Sequence, residues 1–202
     1  TKVNIMNYSI YAESTPNPGV MKFVANRMLV DKSIEITLAE QAKDISVAKA
    51  LFNFPFVKSL YLSSNFISIA KTDNVEWDMI AMQLRNFITD FLNEEGLKNY
   101  TENITEEEII KSEVKSEKST EKIEFTDKEK AIIDLLNEYI KPAVEADGGA
   151  ITFNSYVGDV VTVNLKGACS GCPSSTSTLK GGIESLLNQK VDPNIVVRAN
   201  EG

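Results

Sequence analysis

A stretch of 28 residues near the middle, 99–126, sets the limits on how this 202-residue chain can fold. It carries 8 acidic and 4 basic side chains, half of the net charge of −8, and has no aromatic residue between Tyr100 and Phe125. Such a segment buries too little apolar surface to offset its ordering entropy, so it reads as a linker between two domains. The expectation is two small domains, 1–98 and 125–202, joined by a charged flexible linker over 99–124. As a coil the 28-residue stretch has a root-mean-square reach of about 26–32 Å, enough for the domains to move independently. The competing reading is a solvated helix, with Glu107 and Lys111 at i,i+4 and Ile109, Ile110 and Val114 docking weakly.

The first half reads as a small α+β domain. Thr15-Pro16-Asn17-Pro18-Gly19 is turn-rich, and Val20 to Val24 alternates as a strand. Phe56–Leu62 and Phe66–Ala70 form a hairpin about Ser63-Ser64-Asn65. Helices are expected over Ser46–Phe52 and Val75–Leu92, the second with Met79, Ile80, Leu84, Phe87, Ile88 and Phe91 at helical spacing. No acid pair, phosphate loop or nucleophile stands out in this half.

The second half reads as α-β-β-α-β, so the fold class is α+β throughout. Thr126-Asp127-Lys128-Glu129 fits a capping box. The helix it opens presents Ile132, Leu135, Leu136, Tyr139, Ile140 and Ala143, is disturbed at Pro142, and stops at Asp147-Gly148-Gly149. Strands Ile151–Tyr156 and Val160–Leu165 turn at Val157-Gly158-Asp159, with Val161, Val163 and Leu165 on one face. A helix from about Pro173 carries Leu179, Ile183, Leu186 and Leu187, and a last strand, Ile195–Val197, closes the unit.

Chemistry is confined to Lys166-Gly167-Ala168-Cys169-Ser170-Gly171-Cys172-Pro173, between a strand and a helix start. The chain has no His and only these two Cys, which excludes Ser-His and Cys-His catalysis and imidazole ligation. A net charge of −8 argues against nucleic acid, and no apolar run approaches a membrane span. The start, Thr1 to Tyr8, has neither an apolar signal core nor an Arg-rich amphipathic pattern. A lone C-x-x-C pair fits a reducing compartment, so the chain is expected in the cytosol, or in an organellar matrix if a transit peptide has been removed. Unpaired N–H groups and a positive dipole at the helix start favour thiolates, and Gly167 and Gly171 give the loop freedom to turn both sulfurs outward. Both cysteines are therefore expected as surface thiolates.

Two thiolates are half of a four-ligand set. The simplest completion is a second chain bringing its own pair to a shared cluster. Three alternatives stay open: an inert buried pair, a structural zinc-bridged dimer, and a thioredoxin-like dithiol oxidoreductase. Against the last, Pro173 follows the second Cys and no later X-Pro strand faces the pair.

At these residues the chain resembles a known family. Leu165, Gly167, Ala168, Cys169, Cys172, Pro173, Ser174, Ser175, Thr178, Leu179, Gly182, Ile183 and Glu184 match the hallmark of the NifU-like domain of iron–sulfur cluster scaffold and carrier proteins. Pro142 and Ala146-Asp147-Gly148-Gly149 match its upstream motif, while Ala150 stands where that family usually has an acid. The first half resembles the N-terminal domain of Nfu-type proteins through Thr15-Pro16-Asn17-Pro18, Met21-Lys22-Phe23, Leu51-Phe52, Val57, Phe66 to Lys71 and Trp77. Pro55-Phe56 replaces a glycine common there. The resemblance implies a non-enzymatic carrier that binds a [4Fe-4S] cluster, or a [2Fe-2S] cluster, through Cys169 and Cys172. It further implies a homodimer formed on cluster binding, receipt of the cluster from an upstream scaffold, and transfer to apo iron–sulfur proteins, with no nucleic acid or membrane partner.

Overall fold

The computed structural model describes residues 7–42, 44–96, 125–170 and 173–201. The expected linker and Cys172 lie outside them. Each half builds one sheet with helices on one face, as the α+β reading requires.

The N-terminal sheet is five-stranded in the order β1-β2-β5-β4-β3, from β1 (Ile10–Ser14), β2 (Val20–Ala25), β3 (Ile34–Ile36), β4 (Val57–Ser63) and β5 (Phe66–Lys71). All neighbouring pairs are antiparallel. The expected hairpin is β4–β5, closed by the two residues Ser64 and Asn65 between paired Ser63 and Phe66. The edge strands β1 and β3 were not expected from the sequence. Helices α1 (Ser46–Leu51) and α2 (Trp77–Glu94) cover one face. Because strand side chains alternate, Phe23, Ala25, Leu60, Leu62, Ile67 and Ile69 meet the helices. Helix α2 buries Ile80, Leu84, Ile88 and Leu92, whereas Met79 is 78% exposed and is no part of the core.

The C-terminal helix opens on the expected capping box: Glu129 N–H donates to the Thr126 hydroxyl, and Thr126 N–H donates to the Glu129 carboxylate at 2.8 Å. It runs as α3 (Asp127–Leu135), a π-helical turn over Leu136–Ile140, and α4 (Lys141–Ala146). The π turn accommodates Pro142, which offers no N–H and whose ring crowds the preceding turn. The ladder shifts by one residue, so Lys141 N–H donates to the Leu136 carbonyl. The apolar face turns with it. Ile132, Leu136 and Val144 are buried, while Tyr139, expected on that face, is 52% exposed.

Strands β6 (Gly149–Val157) and β7 (Val160–Gly167) pair antiparallel. Their turn is Gly158-Asp159, both at positive φ, the two-residue form that matches strand twist. Helix α5 (Pro173–Lys190) crosses over to β8 (Val196–Glu201), which pairs parallel to β7. Val161, Val163 and Leu165 face Ile183 and Leu187 across the core, as expected. Among the described residues no helix is long and apolar enough to cross a membrane.

The two halves do not stand apart. The helix-free face of the N-terminal sheet, on which an isolated domain would leave Lys22, Val24, Tyr61, Phe66 and Ser68 in water, is buried against the C-terminal half. Hydrogen bonds join the two halves across the chain, a contact the sequence did not lead one to expect.

Candidate functional site

The site forms where β7 ends and α5 begins. Gly167 turns the chain at φ +63°. Ser170 N–H and its hydroxyl both donate to the Gly167 carbonyl, at 3.1 and 3.0 Å, closing a tight loop around Ala168 and Cys169. Ala168 N–H donates to the Gly148 carbonyl at 3.2 Å, tying the loop to the end of α4. Thr176 on α5 donates its hydroxyl to the Cys169 carbonyl at 3.3 Å.

These bonds turn the Cys169 side chain inward. It is 7% exposed and belongs to the same apolar cluster as Val144, Ile151 and Leu165. Gly149 makes this possible: a Cβ there would lie 2.7 Å from the Cys169 sulfur and 2.7 Å from the Lys166 carbonyl. Burial pushes the Cys169 thiol up to about 11, and the neighbouring Asp147 carboxylate pushes in the same direction. The expectation of an outward thiolate is therefore corrected for Cys169, which is a neutral, buried thiol in this conformation. The helix start and its dipole do not outweigh the loss of water around the sulfur. A cavity of about 360 Å³ opens beside it, lined by Ala143, Val144, Asp147, Thr178 and Leu179, and by Pro16 from the N-terminal half.

Other residues of the quoted motifs acquire roles that spacing did not reveal. Asp147 closes α4, and Gly148 leaves it at φ +81°. The Glu184 carboxylate accepts from Val197 N–H at 2.8 Å, fixing where β8 meets α5. In the N-terminal turn Thr15 donates to the Asn17 and Val20 carbonyls, and Gly19 N–H donates to the Asn17 side chain. Trp77 Nε1 donates to the Pro18 carbonyl. The turn is thereby held against α2, with Asn17 free to reach Ser170, where its Nδ2 donates to the carbonyl at 3.3 Å. A signal for that reach was present in the sequence only as a Pro-flanked Asn in a domain with no chemistry of its own.

Fold and site together define an α+β protein of two sheets, with Cys169 at the strand-to-helix loop of its second half. Residues 10–95 match the family model for the scaffold protein Nfu/NifU N-terminal domain, and residues 132–198 match the model for the NifU-like domain. The chain belongs to the Nfu-type family. It is 34% identical over 181 residues to the mitochondrial iron–sulfur cluster scaffold homologue NFU1 of Drosophila grimshawi, covering 88% of this chain and 57% of that protein. The Drosophila willistoni counterpart is also 34% identical, with 58% of its length covered. The chain thus spans less than two thirds of these relatives. The solution NMR structure of a NifU-like protein from Saccharomyces cerevisiae aligns with a TM-score of 0.40 and 27% identity, over 46% of this chain and 85% of that one.

Proposed function

We propose that this chain is a non-enzymatic iron–sulfur cluster carrier whose ligands are Cys169 and Cys172. The cluster is its cargo: a [4Fe-4S] unit shared between two chains, received from an upstream scaffold and passed to apo iron–sulfur proteins. In this reading residues 1–98 and 125–202 are the two domains and 99–124 the tether. The observation that carries the proposal is the pairing of a match to the NifU-like domain with a ligand inventory of two Cys and no His. One chain supplies two of the four ligands such a cluster needs, so a second chain, or a donor or target, supplies the rest. The relatives' names support the iron–sulfur part and favour an organellar setting over the cytosol.

Chemically the donor set fits: two sulfurs three residues apart with no competing imidazole. Cys169 is held inward among apolar side chains in this conformation, so its thiol has to lose its proton and gain access to iron on binding. Transfer then proceeds by ligand exchange, an incoming thiolate displacing one of these sulfurs.

Anaerobic reconstitution with iron and sulfide, followed by incubation with an apo iron–sulfur enzyme, tests the reading. The carrier account expects a cluster chromophore that decays as the enzyme gains activity, and no chromophore in Cys169→Ser or Cys172→Ser. A chain that binds no iron but cycles a disulfide with a thiol reductant would replace it with the dithiol reading, and a zinc dimer inert to transfer with the structural one.

A further inference from the structure

The sheet register places five residues in one row across all strands of the N-terminal domain, in the order Glu13, Lys22, Ser68, Tyr61, Glu35. The row lies on the face away from α1 and α2, and four of its members grip the C-terminal half. Lys22 donates its ammonium to the carbonyls of Glu145 and Ala146, at 3.3 and 2.9 Å, at the C-terminal end of α4. Ser68 donates to the Gly148 carbonyl at 2.6 Å. Tyr61 packs over Gly167, and the Glu35 carboxylate accepts from Gly167 N–H at 3.0 Å.

Three properties distinguish this contact from incidental packing. Lys22 is only 8% exposed, and a buried ammonium is tolerated where it neutralises a helix terminus; its remaining neighbours are Glu13 at 3.7 Å and the Phe66 ring. The C-terminal half offers glycine where the row comes closest. A Cβ on Gly148 would stand 2.7 Å from the Ser68 hydroxyl, and one on Gly167 2.8 Å from the Tyr61 ring. The space left between Glu35, Tyr61, Ser68 and Gly167 is small, about 10 Å³, on the order of a single water. The surfaces are complementary in charge, hydrogen bonding and shape.

We infer that the row Lys22-Ser68-Tyr61-Glu35, with Asn17, is a docking surface for the cysteine loop of the same chain, and that this docking must open before two loops can share a cluster. The second part rests on the carrier reading; the first does not. Asn17 holds the Ser170 carbonyl and Pro16 borders the cavity beside Cys169, so the turn crowds the loop that a second chain has to reach. Closed and open forms then compete. A chain closed by a constant K forms cluster-bridged dimers less readily by the fraction of chains that are open, once for each partner.

Hydrogen exchange on the full-length apo chain tests the docking. Gly167 N–H reports it, since its acceptor lies on the other domain, whereas Val196 N–H, bonded to Asp159 of its own domain and away from the row, is an internal control. Lys22→Glu places a carboxylate against helix carbonyls, and Ser68→Leu places a side chain where 2.6 Å separates two oxygens. Neither residue contributes to the core under α1 and α2, so the N-terminal domain should fold in both variants, with unchanged protection in β2 and β5 as the check. Loss of a charged hydrogen bond reduces closure by roughly tenfold to a hundredfold. The expected result is faster exchange at Gly167 by at least about tenfold in both variants, with Val196 unchanged. Equal Gly167 exchange in folded variants and parent overturns the docking. Under reconstitution with iron and sulfide both variants should form dimers at a protein concentration about a hundredfold lower than the parent, about tenfold for each of the two chains that has to open. The same dimerisation midpoint, with Gly167 released, overturns the gating. Failure of parent and variants alike to bind iron refutes the carrier reading and the gating with it, while the exchange result still decides the docking.

Discussion

Replacing Gly149 with alanine adds a methyl group at the point where the backbone of β6 passes the cysteine loop. That carbon would stand 2.7 Å from the Cys169 sulfur, 2.7 Å from the Lys166 carbonyl and 3.0 Å from Cys169 N, against an ordinary contact distance of about 3.5–4.0 Å. Two of these neighbours are backbone in a paired strand and its loop, so a rotamer change cannot relieve the crowding. Overpacking of this kind destabilises by about 1–3 kcal/mol. For a domain the size of residues 125–202, each kcal/mol lowers the melting temperature by about 4–8 °C, giving a fall of about 4–24 °C. Differential scanning calorimetry measures this, and Cys169→Ala supplies a second axis. Without the sulfur one of the three clashes disappears, so Gly149→Ala should be milder in that background by about 0.5 kcal/mol or more. Equal effects in both backgrounds, or no destabilisation in either, would refute the account of how Cys169 is held inward.

Thr126→Ala removes the hydroxyl half of the capping box, leaving the backbone N–H of residue 126 to donate to Glu129, and should lower stability by about 1 kcal/mol in a urea titration, with Thr126→Ser recovering most of it. Iodoacetamide at neutral pH should label Cys169 far more slowly in the folded apo chain than in urea, read by peptide mapping; equal rates would contradict its burial. The Lys128 ammonium donates to Asp192 at 2.8 Å and, with the Asn194 N–H, holds that carboxyl below the usual carboxylate range. Its contribution is present above the ordinary carboxyl pKa of about 3.9 and is lost as pH falls through the depressed value, so the stability gap between parent and Asp192→Asn should close on acidification. The pair's hold on Lys128, whose own pKa is raised chiefly by that hydrogen bond, is present below about pH 10.4 and lost above the raised value. A gap that widens in acid would show the sign to be wrong.

What could be read from residues alone follows how local each signal is. The capping box, the Gly158-Asp159 turn, the strand face of Val161, Val163 and Leu165, and the Pro173 helix start depend on neighbours within a few positions, and each appears where its spacing places it. Strands β1 and β3 escaped because short edge strands carry little alternation: Ile10–Ser14 buries one residue and Ile34–Ile36 has three in all. The π turn before Pro142 escaped because a helical wheel assumes constant spacing, and so Tyr139 was placed on the wrong side. The inward pose of Cys169 escaped for a different reason. Local sequence supplied a helix start and flexible glycines, both arguing for an exposed thiolate, while the decisive contact comes from Gly149, twenty residues upstream and brought alongside by the β6–β7 pairing. The docking row was similarly hidden. Lys22 and Ser68 lie on expected strands and Glu35 on one that was not expected, and only the cross-strand register aligns the three.

The central claim is that one chain holds half a site, and native mass spectrometry of the anaerobically reconstituted full-length protein addresses it without reference to any target. The account predicts a species of two chains with four irons and four sulfides, absent from Cys169→Ser and Cys172→Ser. A cluster retained on a single chain, or iron bound equally well by the serine variants, would contradict it.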